Sequence, residues 1–194
     1  MIMVTASSVD CHPLYYIRQS KPLDLDIGNE DLMEDIDFAL ARFYRQGGNY
    51  RTSLRAERKF LNHCNEATHS FGRVLLEREY GTGDQSFFEA HNAEYFDLRS
   101  DGPFHRDYGD FHSIGLIVVP QENHFLAIDF THNMVDNLDE RRAALFYTRN
   151  ILTLLQKLNE YYGGRWQAEF MFNHVLNQYL WLDGKTIEDF ISVG

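Results

Sequence analysis

Cys64, His112 and Asp129 are the residues of this chain whose types and spacing can do chemistry together. A thiol attacks as thiolate, so it needs a base to take its proton, and that base needs a third group to orient its ring. Residues 62–80, NHCNEATHSFGRVLLEREY, read as a helix capped by Asn62, with His63 and Cys64 at its first two positions. Cys64, Ala67, Phe71, Val74 and Leu75 recur at helical spacing, so the cysteine heads an apolar stripe. There the helix dipole and the unsatisfied amides of the first turn both favour thiolate. The rival thiol, Cys11 beside His12, lies in a proline-bounded segment with no helix behind it.

The base and its orienter come from a hairpin. Residues 113–119 and 124–130 are short, rich in Ile and Val, and separated by Pro120-Gln121-Glu122-Asn123. If Val119 faces His124, opposite residues sum to 243, Ile114 faces Asp129 and His112 faces Thr131. Side chains alternate along a strand, so His112 and Asp129 share a face as diagonal neighbours, about 7 to 8 Å apart at the backbone. A slip of one residue would put them on opposite faces.

The elements that must hold these three follow from pattern. Residues 1–28 read as an irregular lead-in with a short strand at Leu14 to Ile17. Asn29 to Gln46 reads as a helix: Asn29 caps it, Leu32, Ile36, Ala39, Leu40 and Phe43 form its stripe, and Gly47-Gly48 stops it. Thr52 to Phe60 reads as a second, basic helix or a direct lead into the cysteine helix, with its charges on a solvated face. Residues 81–111 show no sustained period, and SFFEAHNAEYF is the best candidate there for a short helix. A connection of that length suits substrate or partner contacts as well as an ordinary packed excursion. Residues 136–162 read as one long helix capped by Asn137 or Asp139. Its apolar face would hold Ala143, Leu145, Phe146, Ile151, Leu154, Leu155 and Leu158, with Gly163-Gly164 ending it. Residues 166–182 fit a strand at WQAEFMFN or a longer helix, and 186–193 a short terminal helix. The fold class expected is α+β, one domain over 1–194 with helices packed on a small antiparallel sheet.

Composition narrows the function. Fifteen Phe, eleven Tyr and two Trp argue against disorder. A net charge of −11 without a Lys/Arg block opposes binding to nucleic acid or an anionic membrane. No apolar run reaches the roughly 18 residues of a span, and the first residues lack the basic region of a secretory signal. With Cys11 and Cys64 alone a disulfide framework is excluded, and two free thiols in a reducing cytoplasm is the simpler reading. His105, His112, His124 and His132 cluster in sequence but match no ligand spacing, and neither HExxH nor CxxC occurs. Neither phosphate-loop pattern is present. Asp24/Asp26 and Glu30/Asp31 suit helix starts. No metal or cofactor is expected.

A cysteine opening a helix, a histidine starting one strand and an aspartate ending the next resembles the transglutaminase-like and papain-like cysteine enzymes. The matching pieces are NHCNEATHSFGRVLLEREYG, FHSIGLIVV and FLAIDFTHN, about a fifth of the chain. The last two are similar to the histidine-strand, turn, D-x-T strand of the transglutaminase and arylamine acetyltransferase branches. The resemblance implies a papain-like or transglutaminase-like core with Cys64 as nucleophile, His112 as base and Asp129 as orienter. It departs from the papain pattern at Arg58, where the oxyanion-hole glutamine would stand, and at Asn65, where an aromatic usually follows the cysteine. The backbone amide of Cys64 supplies one oxyanion donor in this reading. The expected function is acyl transfer from an amide of a protein or peptide, of cysteine peptidase or glutamine deamidase type. The expected setting is cytoplasmic, or delivery as an effector without a cleavable signal. The alternatives are an N-acyltransferase or transglutaminase variant, or an inactive protein-binding domain whose aromatic 81–111 segment meets the partner.

Overall fold

A computed structural model describes residues 14–17, 28–46, 63–105, 111–131, 142–173 and 178–181. The element order is β1 (Leu14–Ile17), α1 (Glu30–Gln46), α2 (His63–Leu76), α3 (Phe87–His91), β2 (Glu94–Ser100), β3 (His112–Val119), β4 (His124–Asp129), β5 (Arg142–Thr148), α4 (Ile151–Tyr162), β6 (Gln167–Asn173) and β7 (Gln178–Trp181). The seven strands form one antiparallel sheet in the order β1-β5-β4-β3-β2-β6-β7. The architecture is α+β. Among the described residues no helix is long and apolar enough to cross a membrane.

The central strands are buried on both faces because side chains alternate and each side has its own helical cover. On one side α1 and α2 lay Leu32, Ile36, Leu40, Phe71 and Leu75 against Tyr95, Ile117 and Ile128. On the other, Leu154, Leu158 and Tyr162 of α4 pack on Phe96, Ile114, Leu116 and Phe146. Burying each such side chain contributes about 1.5 to 3 kcal/mol.

Local chemistry sets the element ends. Asn29 Oδ1 accepts from the Leu32 amide at 3.0 Å, so Asn29 caps α1 as its sequence suggests, and every residue of the expected stripe is buried. The stripe of α2 is buried as well, but the helix stops at Leu76 rather than running to Tyr80. Tyr80 instead turns back, donates its hydroxyl to the Val74 carbonyl at 3.0 Å and buries its ring. The turn between β3 and β4 is a short 3-10 segment, Pro120–Glu122, closed by Asn123 in the left-handed region.

Two expectations are corrected. SFFEAHNAEYF holds the short helix expected there, Phe87–His91, with a Ser86–Glu89 capping box and left-handed Asn92 at its end, but residues 81–111 are not otherwise without regular structure. Strand β2 follows and lies between β3 and β6. Phe87, Phe88, Tyr95, Phe96 and Leu98 are fully buried, so these four aromatics of the segment offered as a partner surface belong to the core. The long helix expected over 136–162 is β5 followed by α4. Strand β5 fills the gap between β1 and β4, and pairing on both edges outweighs the helix preference of its Ala and Leu residues. Asn150 then caps α4 by accepting from Thr153 at 3.0 Å. Residues 167–173 and 178–181 are strands, the first of the two readings open for that stretch. Asn62 as a cap, Cys11, His132, residues 52–60 and 186–193, and Asn137 and Asp139 as caps lie outside the described residues.

Candidate active site

Three elements converge on the end of β3 where that strand begins. The β3–β4 register runs from Gly115 opposite Ile128 to Val119 opposite His124, the pairing that sums to 243. His112 and Asp129 therefore project from one face. The Nε2 of His112 lies 3.0 Å from Asp129 Oδ2. From α2, the Cys64 side chain lies near enough to the same imidazole to favour its charged form. Cys64 is 5%, His112 1% and Asp129 0% exposed. The thiol is free.

The carboxylate of Asp129 divides its work. Oδ1 accepts from the Thr131 amide at 2.9 Å and the Thr131 hydroxyl at 3.1 Å, which folds the D-x-T turn. Oδ2 accepts from His112 and from the Tyr162 hydroxyl at 2.8 Å. A fully buried carboxylate with four donors is stable as an anion, since each donor replaces a lost water. Burial works against a charged His112, but the charge and hydrogen bond of Asp129 outweigh it. Hydrogen bonding and charge at Cys64 add in the same direction, and the imidazole is pushed up to about 9. At neutral pH the ring is an imidazolium beside the sulfur.

Aromatic rings close around that imidazolium. Tyr162, Trp166 and Phe104 centre 5.4, 5.9 and 6.3 Å from the His112 ring. Two glycines make the approach possible. Gly163, at φ +81°, ends α4, and a Cβ there would lie 2.5 Å from the Pro103 carbonyl. Gly164, at φ +79°, would place one 2.1 Å from Ser100 Oγ. Glycine alone satisfies both the backbone angle and the space. The His105 amide donates to the Tyr162 carbonyl at 2.8 Å, which ties the chain after β2 to the end of α4.

A second set of contacts fixes the height of the cysteine helix. The Thr68 hydroxyl donates to the Cys64 carbonyl at 3.0 Å, and the Tyr95 hydroxyl donates to the Thr68 carbonyl at 3.0 Å. Tyr95 crosses β3 at Gly115, where there is no side chain to meet it. The four positions link the sheet to the first turn of α2.

Among the described residues, no group of three or more His, Cys, Asp or Glu is placed to hold a metal ion. His124 is engaged by Tyr147 Oη at 2.7 Å and Glu122 Oε2 at 2.9 Å. Comparison with protein-family models, curated proteins and solved structures finds no match to this chain. Sequence reading named the sulfur, the imidazole and the carboxylate. It missed Tyr162 and Trp166, whose only mark in the sequence is an aromatic on each side of Gly163-Gly164, and it missed Tyr95 and Gly115.

Proposed function

We propose that the protein is a thiol-dependent acyl-transfer enzyme acting on an amide of a protein or peptide, of peptidase or deamidase type. The observation that carries this reading is one buried imidazole bonded to the Asp129 carboxylate, with the Cys64 side chain near enough to favour its charged form. A structural cysteine needs neither partner, and a buried histidine needs no sulfur.

The sulfur attacks the amide carbon as thiolate, forming a carbon–sulfur bond and moving the carbonyl pair onto oxygen. As the tetrahedral species collapses, His112 gives its Nδ1 proton to the departing amine and a thioester remains. Neutral His112 then takes a proton from water or a second nucleophile, which attacks the thioester, and the sulfur leaves as thiolate beside a restored imidazolium. Asp129 keeps Nε2 protonated throughout, so Nδ1 is the nitrogen that exchanges protons. The amide of Cys64, at the start of α2, suits the developing oxyanion. We read the core as the papain-like or transglutaminase-like type that the cysteine helix, histidine strand and aspartate strand resemble. A reducing cytoplasm, where a nucleophilic thiol stays reduced, is part of this reading.

The test is the rate at which a neutral alkylating reagent labels Cys64 at pH 7. Labelling well above that of a model thiol, lost in Cys64→Ser and slowed in His112→Ala, is the expected result. Labelling at the model-thiol rate and indifferent to His112→Ala ends the enzyme reading.

A further inference from the structure

Oδ2 of Asp129 serves two donors at once, and only one of them is part of the proposed chemistry. The Tyr162 hydroxyl donates to it at 2.8 Å while His112 Nε2 donates at 3.0 Å. Both donors and the acceptor are at least 98% buried, so no water competes for that oxygen's charge. Tyr162 is also the last residue of α4, and its ring packs beside the His112 ring. Its backbone carbonyl is fixed by the His105 amide, and the next residue cannot carry a side chain. The hydroxyl is thus aimed from a position locked on two sides.

We infer that Tyr162 is a positioning residue of the triad, which sets the basicity of His112 by sharing the carboxylate oxygen that orients it. The inference rests on the Cys64–His112–Asp129 reading and adds a fourth side chain to it. The physical basis is competition for one pair of electrons. A hydrogen bond from Tyr162 stabilises the anion whether or not His112 is charged, so less of the carboxylate's field is left to hold the imidazolium proton. Removing the hydroxyl leaves more of the Oδ2 charge to His112, and its proton becomes harder to lose. Among the described residues, Cys64 from α2 and the uncharged rings of Phe104 and Trp166 also face the imidazole. For acyl transfer the consequence is direct. An imidazolium that holds its proton too tightly is a poorer acid toward the leaving amine.

The experiment follows the His112 ring by NMR in histidine-labelled protein, beside the alkylation rate of Cys64 and the melting temperature. The variants are Tyr162→Phe and the full chain with 3-fluorotyrosine placed at 162, which keeps the shape and makes the hydroxyl a stronger donor. Tyr162→Phe is expected to raise the His112 midpoint by about half a pH unit or more. The fluorinated side chain is expected to lower it. Opposite shifts support the inference even where Tyr162→Phe also melts earlier. A His112 midpoint equal to wild type in both, with or without a lower melting temperature, reduces Tyr162 to a packing residue and overturns it. Should Tyr162→Phe not fold, the fluorinated protein alone decides by the direction of its shift. Failure of the enzyme reading has a separate signature, wild-type alkylation indifferent to His112→Ala, and leaves these midpoints readable.

Discussion

The phenol of Tyr95 lies over Gly115 so closely that a Cβ on residue 115 would sit 2.2 Å from its oxygen and 2.8 Å from Cζ. That contact is how β2 reaches across β3 to hold the carbonyl of Thr68, and Thr68 in turn holds the carbonyl of Cys64. Gly115→Ala is expected to destabilise the protein by about 1 to 3 kcal/mol, the usual range for overpacking a core. It should also slow Cys64 alkylation, because α2 must ride up from the strand that carries His112. Denaturant unfolding and the labelling rate check the two effects separately. Wild-type stability in Gly115→Ala would show that Tyr95 has room to move and that the linkage is loose.

Asp129→Asn keeps the shape of the side chain and removes its charge. Without that charge burial prevails, and His112 should titrate below its ordinary range rather than near 9. At pH 7 the ring is then neutral, and Cys64 alkylation is expected to fall by at least about tenfold. A histidine-resolved NMR titration gives the first quantity directly. An unchanged His112 midpoint in Asp129→Asn would mean that something other than this carboxylate holds the imidazolium.

Stability should depend on pH through the same pair. His112 titrates at its ordinary 6.5 when unfolded and is pushed up to about 9 in the fold. The folded protein therefore binds this proton more tightly. The stabilisation is complete below about 6.5 and is lost as pH rises through about 9. Its size is on the order of 3 kcal/mol. Melting temperature measured from pH 6 to 10 is expected to fall across that window, and Asp129→Asn to flatten the fall. A wild-type curve that is level over this range would contradict the assignment.

Asn29 carries two jobs at the far end of the sheet. It caps α1 through the Leu32 amide, and its Nδ2 donates to Glu122 Oε2 at 2.9 Å in the turn after β3. The same Glu122 pairs with His124. Asn29→Ala should lower stability by about 1 kcal/mol, as loss of a helix cap does, and leave Cys64 labelling at the wild-type rate. Slower labelling in that variant would reveal coupling between the two ends of β3.

The sequence was most legible where one local rule governed. Asn29 capped α1, the Pro120–Asn123 turn fixed the register, and Leu14–Ile17 carried its strand on pattern alone. It was least legible where a strand is covered on both sides. In β5, Ala143 and Leu145 face one apolar layer while Ala144 and Phe146 face the other, so the two-residue alternation vanishes. What remained, RAALFYT, reads as helix by propensity, and the cap at Asn150 was the overlooked sign of a break. Strand β2 hid for the same reason behind a one-turn helix. At the site, Asp129 was read as an orienter, and its two oxygens divide between that role and the D-x-T turn. Tyr162 and Trp166 were invisible because their place is set by the packing of α4, not by any spacing to His112.

Gly164 has no side chain, yet Ser100 Oγ fills the room that a Cβ there would need. A single carbon added there would wedge the chain that follows β2 away from the tail of α4. Tyr162 and Trp166 flank that wedge, so the damage would reach the rings packed around His112. Variants at this glycine would be scored as lesions of the reactive centre, though they remove no reactive atom.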